Sequence, residues 1–207
     1  MPTMTQARGL FVVFEGIDGS GKSTQARILV RRLREAGREV VLLREPTRGK
    51  WGREIRRQAL RADSLTPEEE LDLFVRDRRE NVSRNILPAL ERGRVVVLDR
   101  YYFSTIAYQG AKGLDREAIR RLNETFAVPP DLVVILDVPA ESGLARIGGR
   151  RTRDELFERE DYLVRVAGIF RSFEGPRILH LDGLAPRAEI ARAVWARVKE
   201  LLPPTRF

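Results

Sequence analysis

The chain has no cysteine and a single histidine, His180. The first absence removes any disulfide framework and any thiolate metal site. The second leaves histidine acid–base chemistry without an agent, because His180 lies in the apolar stretch Ile178-Leu179-His180-Leu181 and reads as a strand residue. Lysine is scarce too. Lys22, Lys50, Lys112 and Lys199 are the only four, so arginine carries most of the positive charge behind the formal net +8. The arginines are scattered rather than blocked, and no basic patch is interleaved with aromatics. This favours several bidentate phosphate contacts over nucleic acid as the main partner. No apolar run approaches the roughly 20 residues of a membrane span. Met1 to Arg8 lack the apolar core of a signal peptide. A soluble cytoplasmic protein is expected. At 207 residues the chain can bury a substantial core. No repeat, linker or low-complexity segment divides it, so residues 1–207 read as one domain.

What is present is Gly16-Ile17-Asp18-Gly19-Ser20-Gly21-Lys22-Ser23, the spacing G-x-x-x-x-G-K-[ST] of a phosphate-binding P-loop, followed by Thr24. Chance alone supplies that spacing in roughly one chain of this length in a hundred. The context is also right. Leu10-Phe11-Val12-Val13-Phe14 before it reads as a buried strand, and Ala26, Leu29, Val30 and Leu33 after it recur at helical spacing. Such a loop wraps phosphates with backbone N–H groups at a helix N-terminus. Lys22 would reach the β- and γ-phosphates and the Ser23 hydroxyl would sit on Mg²⁺. Binding of a nucleoside triphosphate with Mg²⁺ is expected.

Apolar runs then alternate with helical patterns, the signature of an α/β fold on a parallel sheet. Further strands are expected at 40–43, 95–98, 132–136 and 177–181. Helices are expected near 51–60, 67–91, 116–126, 139–147, 162–173 and 188–202. Thr66 before Pro67, with Glu68 to Glu70 following, is a helix start signal. The segment Gly148-Gly149-Arg150-Arg151-Thr152-Arg153-Asp154-Glu155 breaks this pattern and reads as a mobile flap.

The strand at 95–98 ends in Asp99-Arg100-Tyr101. Ligands of parallel sheets gather at the carboxyl ends of strands. That places a carboxylate able to hold Mg²⁺ or its waters, and an arginine able to clamp a second phosphate, beside the P-loop. A motor ATPase would more often put a water-activating glutamate there. An arginine suits an anionic acceptor.

With these residues in place the sequence resembles the thymidylate kinase family. The resemblance rests on Phe14-Glu15-Gly16 through Gln25, on Arg44-Glu45-Pro46, and on Phe74 with Arg78. It continues through Asp99-Arg100-Tyr101, Ser104, Ala107-Tyr108-Gln109, Pro130-Asp131-Leu132 and Leu136-Asp137-Val138-Pro139, with an arginine-rich flap after them. It implies a three-layer α/β/α P-loop kinase with a five-stranded parallel sheet and a mobile arginine-rich LID over about 148–156. The implied reaction is Mg-ATP-dependent phosphorylation of dTMP to dTDP. The alternatives are another nucleoside monophosphate kinase or a non-enzymatic P-loop protein that binds nucleotide or nucleic acid. Family members are commonly homodimers.

The resemblance also implies roles. Phe74 stacks on thymine and Arg78, on the same helical face, bonds a base carbonyl. Ser104 and Thr105 line the thymine edge, and Tyr108 lies against the sugar 2′ position. Asp18 is near the acceptor's 3′-hydroxyl and phosphate, Arg100 clamps that phosphate, and Asp99 serves the metal. The chain departs from the common Glu-Pro-Gly-Gly-Thr pattern at Thr47-Arg48-Gly49, which makes Arg48 and Arg56 candidates for the acceptor phosphate. Some family members carry an arginine where Gly19 stands, so the transition-state charge is expected from Arg150, Arg151 or Arg153.

Overall fold

The computed structural model describes residues 8–59, 65–147 and 153–202, with backbone alone for 153–159. Five parallel strands, β1 (Phe11–Glu15), β2 (Val40–Arg44), β3 (Val95–Asp99), β4 (Leu132–Asp137) and β5 (Ile178–Asp182), form one sheet in the order β2-β3-β1-β4-β5. The central strands are apolar on both faces because helices cover both. Side chains alternate between two clusters, as the two-residue strand period requires. Phe11, Val13, Val96, Leu98, Val133 and Ile135 join one cluster. Val12, Phe14, Val95, Val97, Leu132 and Val134 join the other, which packs under α1 (Lys22–Glu35) and α9 (Arg187–Leu201). The expected three-layer architecture and its five-stranded sheet are therefore present.

Between β2 and β3 lie α2 (Lys50–Gln58), α3 (Pro67–Asn81) and the short α4 (Leu87–Glu91). The single helix expected over 67–91 is interrupted by a π-helical turn, Val82–Ile86. Pro88, which lacks an N–H and crowds the preceding turn, stands two residues beyond it. After β3 comes α5 (Tyr102–Ala111), which has no counterpart in the expected helices, then α6 (Arg116–Glu124). α7 (Ala140–Ile147) and α8 (Arg153–Arg171) link β4 to β5. α8 starts at Arg153 rather than near Tyr162, so residues 153–156 of the expected flap are helical in backbone. Residues 148–152 lie outside the described residues. His180 is structural, bridging Asp137 Oδ2 and Phe173 O at 2.8 Å each.

The start of α3 is a capping box: Glu69 N donates to Thr66 Oγ1 at 3.2 Å, and Thr66 N to Glu69 Oε2 at 2.9 Å. Replacing Thr66 leaves one of the helix's first N–H groups without that acceptor. Thr66→Ala is expected to cost about 1 kcal/mol, read as a lower urea midpoint with an unchanged denaturant slope.

Candidate active site

The P-loop runs from the end of β1 into α1. Its glycines Gly16, Gly19 and Gly21 sit at φ 133°, 80° and 96°, in the left-handed region that a side chain disfavours. Gly19 is doubly constrained, because a Cβ there would lie 2.3 Å from Gly143 O on α7. A Cβ on Gly143 would in turn lie 2.7 Å from Asp18 O. No side chain caps α1, whose first N–H groups follow directly on the loop. Lys22 is buried, and its ammonium donates to Ile17 O at 2.6 Å and Ser20 Oγ at 3.3 Å. Burial, reinforced by the positive Arg100, pushes this ammonium below the ordinary lysine value. An arriving polyphosphate reverses that penalty.

Beyond the loop a cleft of about 380 Å³ is lined by Gly19, Ser20, Gly21, Thr24, Gln25 and Arg146, among others. Arg146 Nη1 donates to Gly19 O and Gly183 O at 3.2 Å each. The sequence carries no mark of this arginine, because it is one of many and belongs to no motif.

The Ser23 hydroxyl donates to Asp99 Oδ2. Asp99 Oδ1 is buried and has no hydrogen-bond partner among the described residues. A hydroxyl and an orphaned carboxylate oxygen are hard donors of the kind Mg²⁺ takes alongside phosphates and water. The residues fit that ion.

On the other side of the loop a cavity of about 250 Å³ opens between α3, α5 and β2. It brings together Asp18, Phe74, Arg78, Arg100, Ser104, Thr105 and Tyr108 from the sequence reading. At its floor Arg78 is 1% exposed and pairs through Nε with Glu45 Oε2 at 2.8 Å. Its Nη1 donates to Asn123 Oδ1 at 2.7 Å and its Nη2 to Thr105 Oγ1 at 2.9 Å. Asn81 Nδ2 gives Glu45 a second donor at 3.0 Å. Burial pushes the Glu45 carboxyl up, and Arg78 pulls it back. Arginine has five N–H donors, so this network leaves Arg78 donors to spare for a ligand. Thr105 accepts from Arg78 and keeps its own proton to donate.

At the mouth Arg100 takes φ 73°, the one non-glycine residue with positive φ among those described. Its Nη2 donates to Asp18 Oδ1 at 2.6 Å and its Nη1 to Ser104 Oγ at 2.9 Å. Tyr108 OH accepts from Asp18 N at 3.1 Å, closing a ring between the P-loop and α5. The Ser104 hydroxyl is committed to Glu15 Oε2 at 2.6 Å, rather than free at the cavity edge. Burial pushes the Glu15 carboxyl up, against the Ser104 hydrogen bond and the Arg100 charge.

The departed loop is braced from within. Asp77 accepts from Thr47 N at 2.7 Å and from Thr47 Oγ1 at 2.6 Å, and Arg56 donates to Pro46 O at 3.1 Å and Thr47 O at 2.6 Å. Arg48 lines an adjoining cleft of about 1020 Å³ and not the smaller cavity, which Arg44 reaches instead. Arg44 was visible only as part of the Arg-Glu-Pro motif. Glu70, Lys112 and Tyr162 also line the cavity without any earlier signal. Arg150 and Arg151 lie outside the described residues, and for Arg153 only the backbone is described.

Truncating a partner of a buried ion pair leaves the other charge uncompensated. Arg78→Met is expected to cost about 3–5 kcal/mol, read by urea unfolding. The loss should shrink as pH is lowered, because a protonated Glu45 needs no counter-charge.

Comparison with known proteins agrees with this geometry. A family model described as thymidylate kinase matches residues 14–193. A thymidylate kinase of Akkermansia muciniphila is 49% identical over 197 residues, covering 95% of this chain and 93% of its own. Those of Desulfotalea psychrophila and Brachyspira hyodysenteriae are 42% and 43% identical, covering 96% and 93% of this chain and 98% and 95% of their own lengths. With a P-loop and a neighbouring cavity joined at Asp18 and Arg100, and with similarity of this extent, the chain belongs to the thymidylate kinase family.

Proposed function

We infer that the chain transfers the γ-phosphoryl group of ATP to dTMP, forming ADP and dTDP on the way to dTTP. The observation that carries this reading is the cavity itself. It has Phe74 on its wall, Arg78 and Thr105 at its floor, and Arg100 with the P-loop residue Asp18 at its mouth. A pyrimidine monophosphate lying there points its phosphate toward the loop that holds the donor.

Both substrates bind together, so the transfer is direct and in line, and no covalent enzyme intermediate is required. Phe74 stacks on the thymine ring, Arg78 and Thr105 meet its polar edge, and Tyr108 excludes a ribose 2′-hydroxyl. Asp18 lies near the acceptor's 3′-hydroxyl and phosphate, and Arg100 clamps that phosphate. Residues Gly16 to Thr24 cradle the donor phosphates, with Lys22 on the transferring group. Ser23 and Asp99 would hold Mg²⁺, which when bound neutralises charge on the phosphate oxygens. Arg150, Arg151 or Arg153 complete the transition-state charge when the segment closes and excludes water. The protein works in the cytoplasm as a homodimer.

A panel of nucleoside monophosphates in a coupled ADP-release assay tests the assignment. dTMP should be strongly preferred over UMP, CMP and AMP. Equal activity on ribonucleotides would overturn it. Base–aromatic stacking is worth about 1–3 kcal/mol, so Phe74→Ala should raise KM for dTMP about tenfold with little change in KM for ATP.

The charges on the transferring group form a second test. Lys22→Ala should lower kcat by at least about a hundredfold with the fold intact. At least one of Arg150→Ala, Arg151→Ala and Arg153→Ala should do likewise while KM for ATP changes much less. Normal turnover in all three and in the triple variant removes the segment from the chemistry.

A further inference from the structure

Glu15 is the last residue of β1, fully buried, and directly precedes the P-loop. A carboxylate in such a place is costly unless it is fully bonded. Three donors reach it from one direction: Tyr101 N at 2.7 Å, Ser104 N at 3.2 Å and Ser104 Oγ at 2.6 Å. The two amides belong to the start of α5, whose own N-cap residue, Tyr101, supplies no side-chain acceptor. Glu15 thus caps α5 from another element. A serine or aspartate at the cap would have done that locally. What the remote carboxylate adds is the third bond, to a hydroxyl. Ser104 has one proton, and donating it to Glu15 leaves its lone pairs for Arg100 Nη1 at 2.9 Å. The polarity of the chain from Arg100 through Ser104 to Glu15 is therefore determined.

The backbone of Arg100 is tied to the same strand, because its N–H donates to Phe14 O at 3.0 Å. One end of the residue is anchored at Phe14 and its guanidinium, through Ser104, at Glu15. We propose that Glu15 and Ser104 are positioning residues that hold the Arg100 guanidinium in register with the donor loop, so that it meets the acceptor phosphate already oriented. Neither residue touches the reacting atoms. Their effect is exerted through Arg100, and the inference rests on the dTMP kinase reading above.

The test is a set of mutant cycles. Ser104→Ala breaks the chain but leaves both backbone amides on Glu15. Glu15→Gln can keep those amides bonded through its carbonyl while its NH2 turns toward the hydroxyl. Each single variant is expected to lower kcat/KM for dTMP about tenfold, with KM for ATP within about twofold of wild type. The double variant should be no worse than the worse single. In an Arg100→Ala background the same substitutions should change kcat/KM by less than about twofold. Losses of equal size in that background, or parallel losses in the ATP parameters, overturn the relay and leave Glu15 a helix cap alone. If Glu15→Gln does not fold, the Ser104→Ala cycle decides by itself. Wild-type activity on dTMP tests the kinase reading, and the variants test the relay, so a failure of either is seen separately.

Discussion

β1 and β3 pair in parallel with Phe14 opposite Asp99. From that register follow most of the relations in the site. The loop that leaves β1 and the pair that ends β3 emerge side by side at the carboxyl edge of the sheet, where strand order reverses. Ser23 then reaches Asp99, Arg100 reaches Asp18, and the α5 amides reach Glu15. A slip of one residue would turn every side chain of one strand to the opposite face. In the observed register Phe11 and Val13 pack into one apolar cluster and Val12 and Phe14 into the other. Core packing and site geometry are thus two results of the same pairing.

The second constraint is charge kept out of water. Glu15, Lys22, Glu45, Arg78 and Asp99 are all buried. Each is answered by an opposite charge, a hydroxyl or a backbone group. The exception is Asp99 Oδ1, which has no hydrogen-bond partner among the described residues. Interactions in such surroundings are stronger than in water and already oriented before a substrate arrives. They are also unforgiving of single substitutions, because a lost partner leaves a charge stranded.

How much of this could be read beforehand depended on whether the signal was local. The P-loop, the strand runs and the Thr66 start are short-range patterns, and each appears where expected. α5 escaped because residues 102–107 are buried without interruption, so no polar face marks a helical period. The early turns of α8 escaped because Arg153-Asp154-Glu155 follows glycines and carries mainly charge. Phe74 and Arg78 were placed by family resemblance, since their spacing alone says only that they share a face. The commitments of Ser104 to Glu15 and of Arg56 to the Pro46–Thr47 carbonyls are long-range or loop-specific, and no spacing in the chain encodes them.

The contact between Gly19 and Gly143 bears on how such enzymes diversify. Relatives with an arginine inside the loop and this chain, with glycine there, are not separated by one substitution. Gly19 has α7 backbone lying where its Cβ would be, as well as a backbone conformation unfavourable to any side chain. An arginine could enter only if α7 drew back at the same time, and α7 leads straight into the arginine-rich segment. The loop and α7 therefore change as a unit. Replacing Gly19 is thus a change in two elements of the fold, which single-step mutation does not readily make.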